Sequence, residues 1–324
     1  MLESLRLQNF TCFSDLQLEF VPGVNVFVGE NGTGKTHILK VIYTLLDAKN
    51  VDGDFVLRLG ANFRTFGRSI GRLIRTGRED AKIIAVWDGI ELSCTIHTPN
   101  NLTTYCDARW SPNISAVYIP AKEILSNAPG FLSLYSKRYI SYEAYYPQML
   151  ENAYLNALRE LPAEIVELAD EIEKVIGGEV EVRGEEFFIN DIEMPLIAEG
   201  HRKLALIWLL LQNGLLGKDT VLVWDEPEAN LNPLLISLVA KTLLKLAELG
   251  AQIFLATHSY VFLKELDLQA KTTEQLGFFA LKKSETGVTA TPAETYLGIE
   301  PNPISDAYTQ VYHKGLEKTL GGVK

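Results

Sequence analysis

The chain has 324 residues, with 41 acidic side chains against 30 lysines and arginines, a net charge of −11; 47% of its residues are apolar and 22% charged. That composition excludes a disordered, collagen-like or rod-like chain, and the length allows about two domains or one large α/β unit with insertions. Three cysteines (Cys12, Cys94, Cys106) with no C-x-x-C pair support no disulfide framework or structural zinc site and predict a reducing, cytoplasmic setting, while the absence of an apolar signal core in MLESLRLQNF, and a richest apolar run (Leu204 to Leu216) that is short and carries Gln212 and Asn213, predict no membrane span.

Along the chain, Leu5 and Leu7, then Leu16, Leu18 and Phe20, alternate with polar residues and predict a hairpin, and the continuous run Val24 to Gly29 predicts a buried strand. Gly29-Glu30-Asn31-Gly32-Thr33-Gly34-Lys35-Thr36 follows at once, matches G-x-x-x-x-G-K-[ST], and leads into an apolar-periodic helix over His37 to Leu46. Glycines let backbone N–H groups curl around an anion, and the helix aims its positive end at the same point. Phosphate binding by this loop is the expectation, with Lys35 neutralising the β- and γ-phosphates and the Thr36 hydroxyl ligating magnesium.

From Phe55 to Arg78 come six arginines (Arg58, Arg64, Arg68, Arg72, Arg75, Arg78) and no acidic residue. They can meet phosphates of ATP or nucleic acid, or an acidic partner, although a charge run is more often a solvated face and the acidic balance of the chain argues against indiscriminate nucleic-acid binding. A short apolar strand ends at Tyr118-Ile119-Pro120-Ala121-Lys122-Glu123. Between Lys122 and Leu196 lie an aromatic-rich helical stretch (Tyr135, Tyr139, Tyr142, Tyr145, Tyr146) and an acidic helix, Pro162 to Val175, without a sustained heptad repeat. Ile197-Ala198-Glu199-Gly200-His201 then opens a long leucine-rich helix whose N-terminus is a second anion site.

Thr220 to Trp224 reads as a strand ending in Asp225, Glu226, Pro227 and Glu228. Asp225 at a strand's carboxyl end is placed to hold magnesium, and Glu226 to polarise an attacking water. Gln252 to Thr257 is another buried strand, with His258 after it as the candidate sensor of the γ-phosphate. Strands of an open α/β sheet present ligand groups at one carboxyl edge, so Gly29, Asp225 and His258 are expected to converge. Strands over Gly277 to Lys282 and Gly287 to Thr291 and a polar helical tail follow.

Together NVFVGENGTGKT, AEGHRKLALIWLLL, VLVWDEPEANLNP and IFLATHS resemble the ABC-type ATPases of the SMC, RecF and OLD-like group over Leu2 to about Phe279. The resemblance implies an α/β P-loop NTPase of the ABC head type: a mixed sheet around the P-loop helix, an N-terminal antiparallel β lobe and a small helical lobe. On that reading residues 1–324 form one composite head, with the P-loop half and β lobe at 1–121, the helical lobe at 122–196 and the signature and Walker B half at 197–324. It implies ATP and Mg2+ as cofactors. Asn31, Gly32, Thr33, Gly34, Lys35 and Thr36 become nucleotide contacts, Asp225 the metal ligand beside Thr36, Glu226 the base, and His258 the switch histidine. Glu199 and Gly200 become signature residues, reaching ATP on a second copy in a homodimeric sandwich with Asn230 facing that copy.

The chain departs from the family at two points. Ala198 stands where a serine is usual, so backbone N–H groups with Gly200, or His201 and Arg202, must replace a hydroxyl contact. No glutamine occurs between Gln17 and Gln148, which leaves the family's glutamine position to another polar group around residues 118–123. No fused nuclease is visible after His258, so a separate effector protein is expected, in a DNA-repair, mobile-element or phage-defence system. A transporter subunit and a scaffold that binds ATP without turnover are the competing readings; retention of Lys35, Thr36, Asp225, Glu226 and His258 argues against the scaffold.

Overall fold

A computed structural model describes residues 1–47, 53–98, 101–106, 114–272 and 275–320. The chain opens with β1 (Leu2–Phe10), β2 (Phe13–Glu19) and β3 (Val24–Gly29), then α1 (Lys35–Asp47) and α2 (Gly53–Asn62). Strands β4 (Asp80–Trp87), β5 (Ile90–His97), β6 (Asn101–Cys106) and β7 (Ser115–Ile119) follow. The next stretch carries α3 (Phe131–Ser136), α4 (Tyr145–Ala153), α5 (Ala163–Ile176), β8 (Val180–Arg183), β9 (Glu186–Ile189) and β10 (Ile192–Glu193). The last third runs through α6 (Glu199–Gln212), β11 (Thr220–Asp225), α7 (Pro233–Glu248), β12 (Gln252–Thr257), α8 (Tyr260–Gln269), β13 (Leu276–Ser284), β14 (Gly287–Ala293) and α9 (Pro303–Leu320).

Six strands form the central sheet in the order β14-β13-β3-β12-β11-β7, all parallel except β14, which turns back along β13. A strand covered on both faces has no polar side to alternate with, which is why Val24–Gly29 and Gln252–Thr257 are buried throughout. A second sheet, β2-β1-β4-β5-β6, is antiparallel and forms the N-terminal β lobe. Its β4–β5 hairpin closes on Asp88 and Gly89, both at positive φ, the conformation that an Asp-Gly turn supplies. The segment between β7 and α6 is helical but also holds a small sheet, β10-β9-β8.

The two large sheets meet at a ring cluster and an amide. Phe20 at the end of the first hairpin lies edge-on to Phe254 and Phe279 at centroid separations of 4.9 and 5.7 Å, and Phe279 also packs on Phe27. The buried Gln252 side chain accepts the Leu2 N–H at 2.9 Å and donates to the Leu2 and Val21 carbonyls at 2.8 and 3.1 Å. One side-chain amide thus replaces the strand partner that Leu2 lacks on that edge. We predict that Gln252→Leu, which leaves those backbone groups buried and unpaired, lowers stability by roughly 2–4 kcal/mol in urea unfolding with an unchanged m-value; a loss under about 0.5 kcal/mol would show that the sheets are joined elsewhere.

Candidate functional site

The 29–36 loop leaves the end of β3 and enters α1. Gly32 and Gly34 both have positive φ, 79° and 86°. At Gly34 a Cβ would also lie 2.5 Å from the Phe13 ring and 2.6 Å from Cys12 Sγ, whereas at Gly32 it would meet nothing within 4 Å. Asn31 and Gly32 are exposed at the loop tip; Thr33 is buried, its hydroxyl donated to the Glu30 carbonyl at 2.8 Å. Lys35 is 6% exposed and donates Nζ to the Gly29 and Glu30 carbonyls at 2.7 and 3.0 Å, so its ammonium sits inside the curl of the loop. Burial lowers its pKa to about 8 against the opposing pull of Asp225, Glu226 and Glu228.

Parallel strand register brings the other groups to the same edge. Thr36 Oγ1 donates to Asp225 Oδ2 at 2.8 Å across 189 residues of sequence. Burial pushes the Asp225 carboxyl up to about 6, more than the Thr36 hydroxyl, Lys40 and Lys35 bring it down. Glu226, at φ 51°, donates its backbone N–H to the Ala256 carbonyl at 2.9 Å and leaves its side chain 40% exposed. His258 Nε2 stands 3.6 Å from Glu226 Oε1. Burial and the Lys35 charge hold the imidazole below its ordinary pKa despite Glu226, so at neutral pH this is the contact of a neutral ring. Gly29, Asp225 and His258, expected to converge, therefore stand at one sheet edge, with Lys35, Thr36 and Glu226 beside them.

Glu199 and Gly200 meet a different part of the chain. Glu199 Oε1 accepts from Asn230 Nδ2 at 2.8 Å, and the space beside Gly200 is filled by the Asn230 carbonyl and Leu231, 3.3 Å from where a Cβ would stand. Asn230 thus has a partner in its own chain. Ala198 is the N-cap of α6 and supplies no side-chain cap. Arg202 Nε lies 3.2 Å from Glu123 Oε2, and Glu123, 4% exposed, also accepts the Ser126 N–H and hydroxyl at 2.9 and 2.7 Å. The 118–123 segment therefore presents its carboxylate to α6, while Tyr118 is buried and stacked on Tyr145 at 4.2 Å.

Two features escape a reading of the sequence. Glu228 turns back into the protein, where Oε1 accepts the Thr257 hydroxyl at 2.6 Å and the His258 N–H at 3.0 Å; the D-E-P-E string held the residue in plain view, but nothing local says which way it faces. Lys203 on α6 is buried and donates Nζ to the Ala229 carbonyl at 2.6 Å. Two arginines of the segment meet acids from outside it, Arg58 pairing with Asp47 and Arg64 lying 4.0 Å from Glu143, while Arg75 donates to the Thr286 carbonyl at 2.8 Å and Arg72 sits over the Phe66 ring. Beside the loop, a cavity of about 310 Å3 is lined by Gly29, Glu30, Asn31, His258, Ile304 and Tyr308, the last two from α9.

Comparison with known proteins follows the same outline. A family model described as "AAA domain, putative AbiEii toxin, Type IV TA system" matches residues 107–264, and one described as "AAA ATPase domain" matches residues 1–103. The chain is 41% identical over 75 residues to the DNA replication and repair protein RecF of Listeria welshimeri, covering 22% of this chain and 20% of that protein. With RecF of Streptococcus suis the identity is 54% over 44 residues, 14% of this chain and 12% of the relative. The matched stretches thus span a fifth or less of these curated relatives. Among solved structures, an SMC head bound to the C-winged helix domain of ScpA superposes with a TM-score of 0.59 at 13% identity, covering 90% of this chain and 97% of that one. The SMC head domain from Thermotoga maritima gives 0.52 at 14%, covering 90% and 98%. At these identities the shared property is the fold.

The two loop glycines give unequal predictions. Gly32→Ala carries only the left-handed backbone cost of about 1 kcal/mol, whereas Gly34→Ala adds overlap with Phe13 and Cys12 and is expected to cost roughly 2–4 kcal/mol. Paired thermal or urea unfolding checks this, and equal losses would mean that the packing of the first hairpin under the loop is not limiting.

Proposed function

Because the chain belongs to the ABC-type ATPases of the SMC and RecF group, we propose that it binds ATP with magnesium on the 29–36 loop, hydrolyses it, and uses the cycle to join and release two copies of itself. What carries this reading is the Thr36–Asp225 hydrogen bond with Glu226 and His258 beside it. Two hard oxygen donors 2.8 Å apart, one of them an under-solvated carboxylate, form a donor set suited to a small divalent cation that takes its remaining ligands from phosphate and water. Thr36 and Asp225 would hold that cation, which supplies neutralisation of phosphate charge.

The other roles fall to side chains of this chain. Lys35, already enclosed by loop carbonyls, is placed to neutralise the β- and γ-phosphates; ordering an anion there favours its charged form and offsets the burial that lowers its pKa. Glu226 is the general base: it is the exposed carboxylate next to Asp225, and its left-handed backbone turns the side chain off the strand direction. A neutral His258 ring can accept a proton or donate one through its free tautomer, which suits a sensor of the γ-phosphate. Asn31, Gly32, Thr33 and Gly34 supply loop backbone. Glu199 and Gly200, at the N-terminus of α6, would face ATP held by the second copy.

Likeness to other proteins supports a reading of the wider role. The RecF matches and the toxin–antitoxin description of one family model support a switch subunit in a DNA-repair, mobile-element or defence system with a separate effector, and the exposed Arg68 and Arg78 leave nucleic acid as a ligand of the arginine segment. A cytoplasmic setting belongs to the same reading; among the described residues no helix is long and apolar enough to cross a membrane.

Two measurements test this. Turnover of ATP is expected to fall at least about 100-fold in Glu226→Gln and to vanish in Lys35→Ala. Light scattering of the Glu226→Gln protein is expected to show a doubled mass with ATP and magnesium and a single mass without. Wild-type turnover in the glutamine variant, or an ATP-loaded protein that stays monomeric at high concentration, would overturn the proposal.

A further inference from the structure

Glu228 has a carboxylate that cannot act on water. One oxygen, Oε1, is occupied twice, by the Thr257 hydroxyl and the His258 N–H, and the other, Oε2, is enclosed by protein. Glu226, two residues earlier, is 40% exposed and free to do so. The two glutamates of one short turn therefore have different tasks, set by which way each side chain leaves the backbone.

The groups that Glu228 holds are themselves part of a chain of contacts. Thr257 Oγ1 accepts the Ser259 N–H at 3.0 Å, and Ser259 caps α8 by accepting the Phe262 N–H at 3.2 Å. The turn 257–259 is thus braced on its α8 side by its own residues and on its β11 side by Glu228. Apart from Glu228, the backbone link between the two turns is the Glu226 N–H to the Ala256 carbonyl, which lies before His258 and leaves the orientation of its peptide open. The 3.6 Å separation of His258 Nε2 from Glu226 Oε1 depends on that orientation. The turn that carries Glu228 is itself held by Lys203 through the Ala229 carbonyl, so Glu228 stands on a fixed backbone.

We propose that Glu228 is a positioning residue for ATP hydrolysis: its carboxylate fixes the 257–259 turn and so holds the His258 ring beside Glu226. The inference rests on the reading of Glu226 and His258 as base and sensor. It differs from a purely structural role in that the loss caused by removing Glu228 must pass through His258.

The test uses the full chain and four variants: Glu228→Ala, Glu228→Gln, His258→Ala and the double Glu228→Ala/His258→Ala. Glu228→Ala is expected to lower kcat about 10- to 100-fold with KM for ATP within about twofold, because misplacement of a reacting group acts on the transition state. Glu228→Gln keeps an oxygen that accepts both bonds and is expected to stay within about threefold of wild type. The double variant is expected to be no more than about twofold slower than His258→Ala alone. Multiplying losses in the double variant, a wild-type kcat in Glu228→Ala, or an effect confined to KM would overturn the proposal. If Glu228→Ala does not fold, Thr257→Val removes one of the two donors and is expected to lower kcat about 3- to 10-fold by the same route.

The His258 amide proton, followed by NMR, gives a readout independent of turnover. It is expected to move upfield in Glu228→Ala, as loss of the bond requires, and to move distinctly less in Glu228→Gln, where an uncharged amide oxygen still accepts it. If the wild-type protein shows no Lys35-dependent turnover, the hydrolysis reading falls while this shift still decides whether Glu228 fixes the turn; an unmoved amide overturns the inference in either case.

Discussion

The register of three neighbouring parallel strands governs what this protein can do. In that register Val28 stands opposite Thr257 and Ala256 opposite Asp225, so β3, β12 and β11 end within about one residue of one another. The 29–36 loop, Asp225 with Glu226, and His258 stand at those ends or directly past them. Nothing in their own chemistry would bring together groups separated by 189 residues; strand pairing does, and the Thr36–Asp225 hydrogen bond is its consequence. A slip of one residue in β11 would move Asp225 about 3.3 Å along the strand, farther than a hydroxyl can follow.

The same edge is electrostatically expensive. Lys35 and Asp225 lie close enough to stabilise each other's charge, yet burial outweighs that attraction at both, lowering the lysine's pKa and raising the aspartate's. Both shifts run against the charged forms that nucleotide and metal would favour. A buried site of this kind lowers the stability of the protein by itself and would gain it back on ligand binding, as the logarithm of ligand concentration over Kd. The surrounding structure supplies what the site removes: strands β3 and β12 are buried along their whole length, and the Gln252 amide and the Phe20 ring cluster join the β lobe to them.

Much of the fold could be read from local pattern, and the reasons are physical. Continuous apolar runs ending in glycine (β3), carboxylates (β11) or the Thr257-His258-Ser259 string (β12) predicted these strands, and the phosphate-loop string predicted the start of α1 to within two residues, Lys35 against His37. Asp88-Gly89 between alternating apolar runs was an equally local hairpin signal for β4 and β5, and it passes unnoticed when the basic segment before it draws the eye. Strands β8 to β10 are harder, because Glu181, Arg183, Glu185 and Glu186 hide a short amphipathic sheet inside a run of charge. The partners that the arginine segment and Glu123 find in the fold, Asp47, Glu143 and Arg202, lie elsewhere in the sequence, and charge neutralisation across a fold leaves no local trace. Glu228 belongs with these. Its direction is fixed by Thr257 and His258, which only the pairing of β11 with β12 brings within reach.

Ala198 bears on how tightly two proposed heads could close. A serine there would offer a hydroxyl to the anion at the N-terminus of α6, whereas alanine leaves that task to backbone N–H groups and the helix dipole. Arg202 is poorly placed to compensate, since Glu123 and the Met194 carbonyl already engage its guanidinium. One hydrogen bond to a charged group contributes about 1.5–3 kcal/mol, and a symmetric sandwich would hold two such sites, so the closed state would be weaker by roughly 3–6 kcal/mol than with serine. That is on the order of a 150- to 25,000-fold shift toward the open form. A proposed head with alanine here would therefore need some other contact to close at the same protein concentration. His201, half-buried in the first turn of α6, is one side chain that could supply it, and a partner that grips both copies would serve equally.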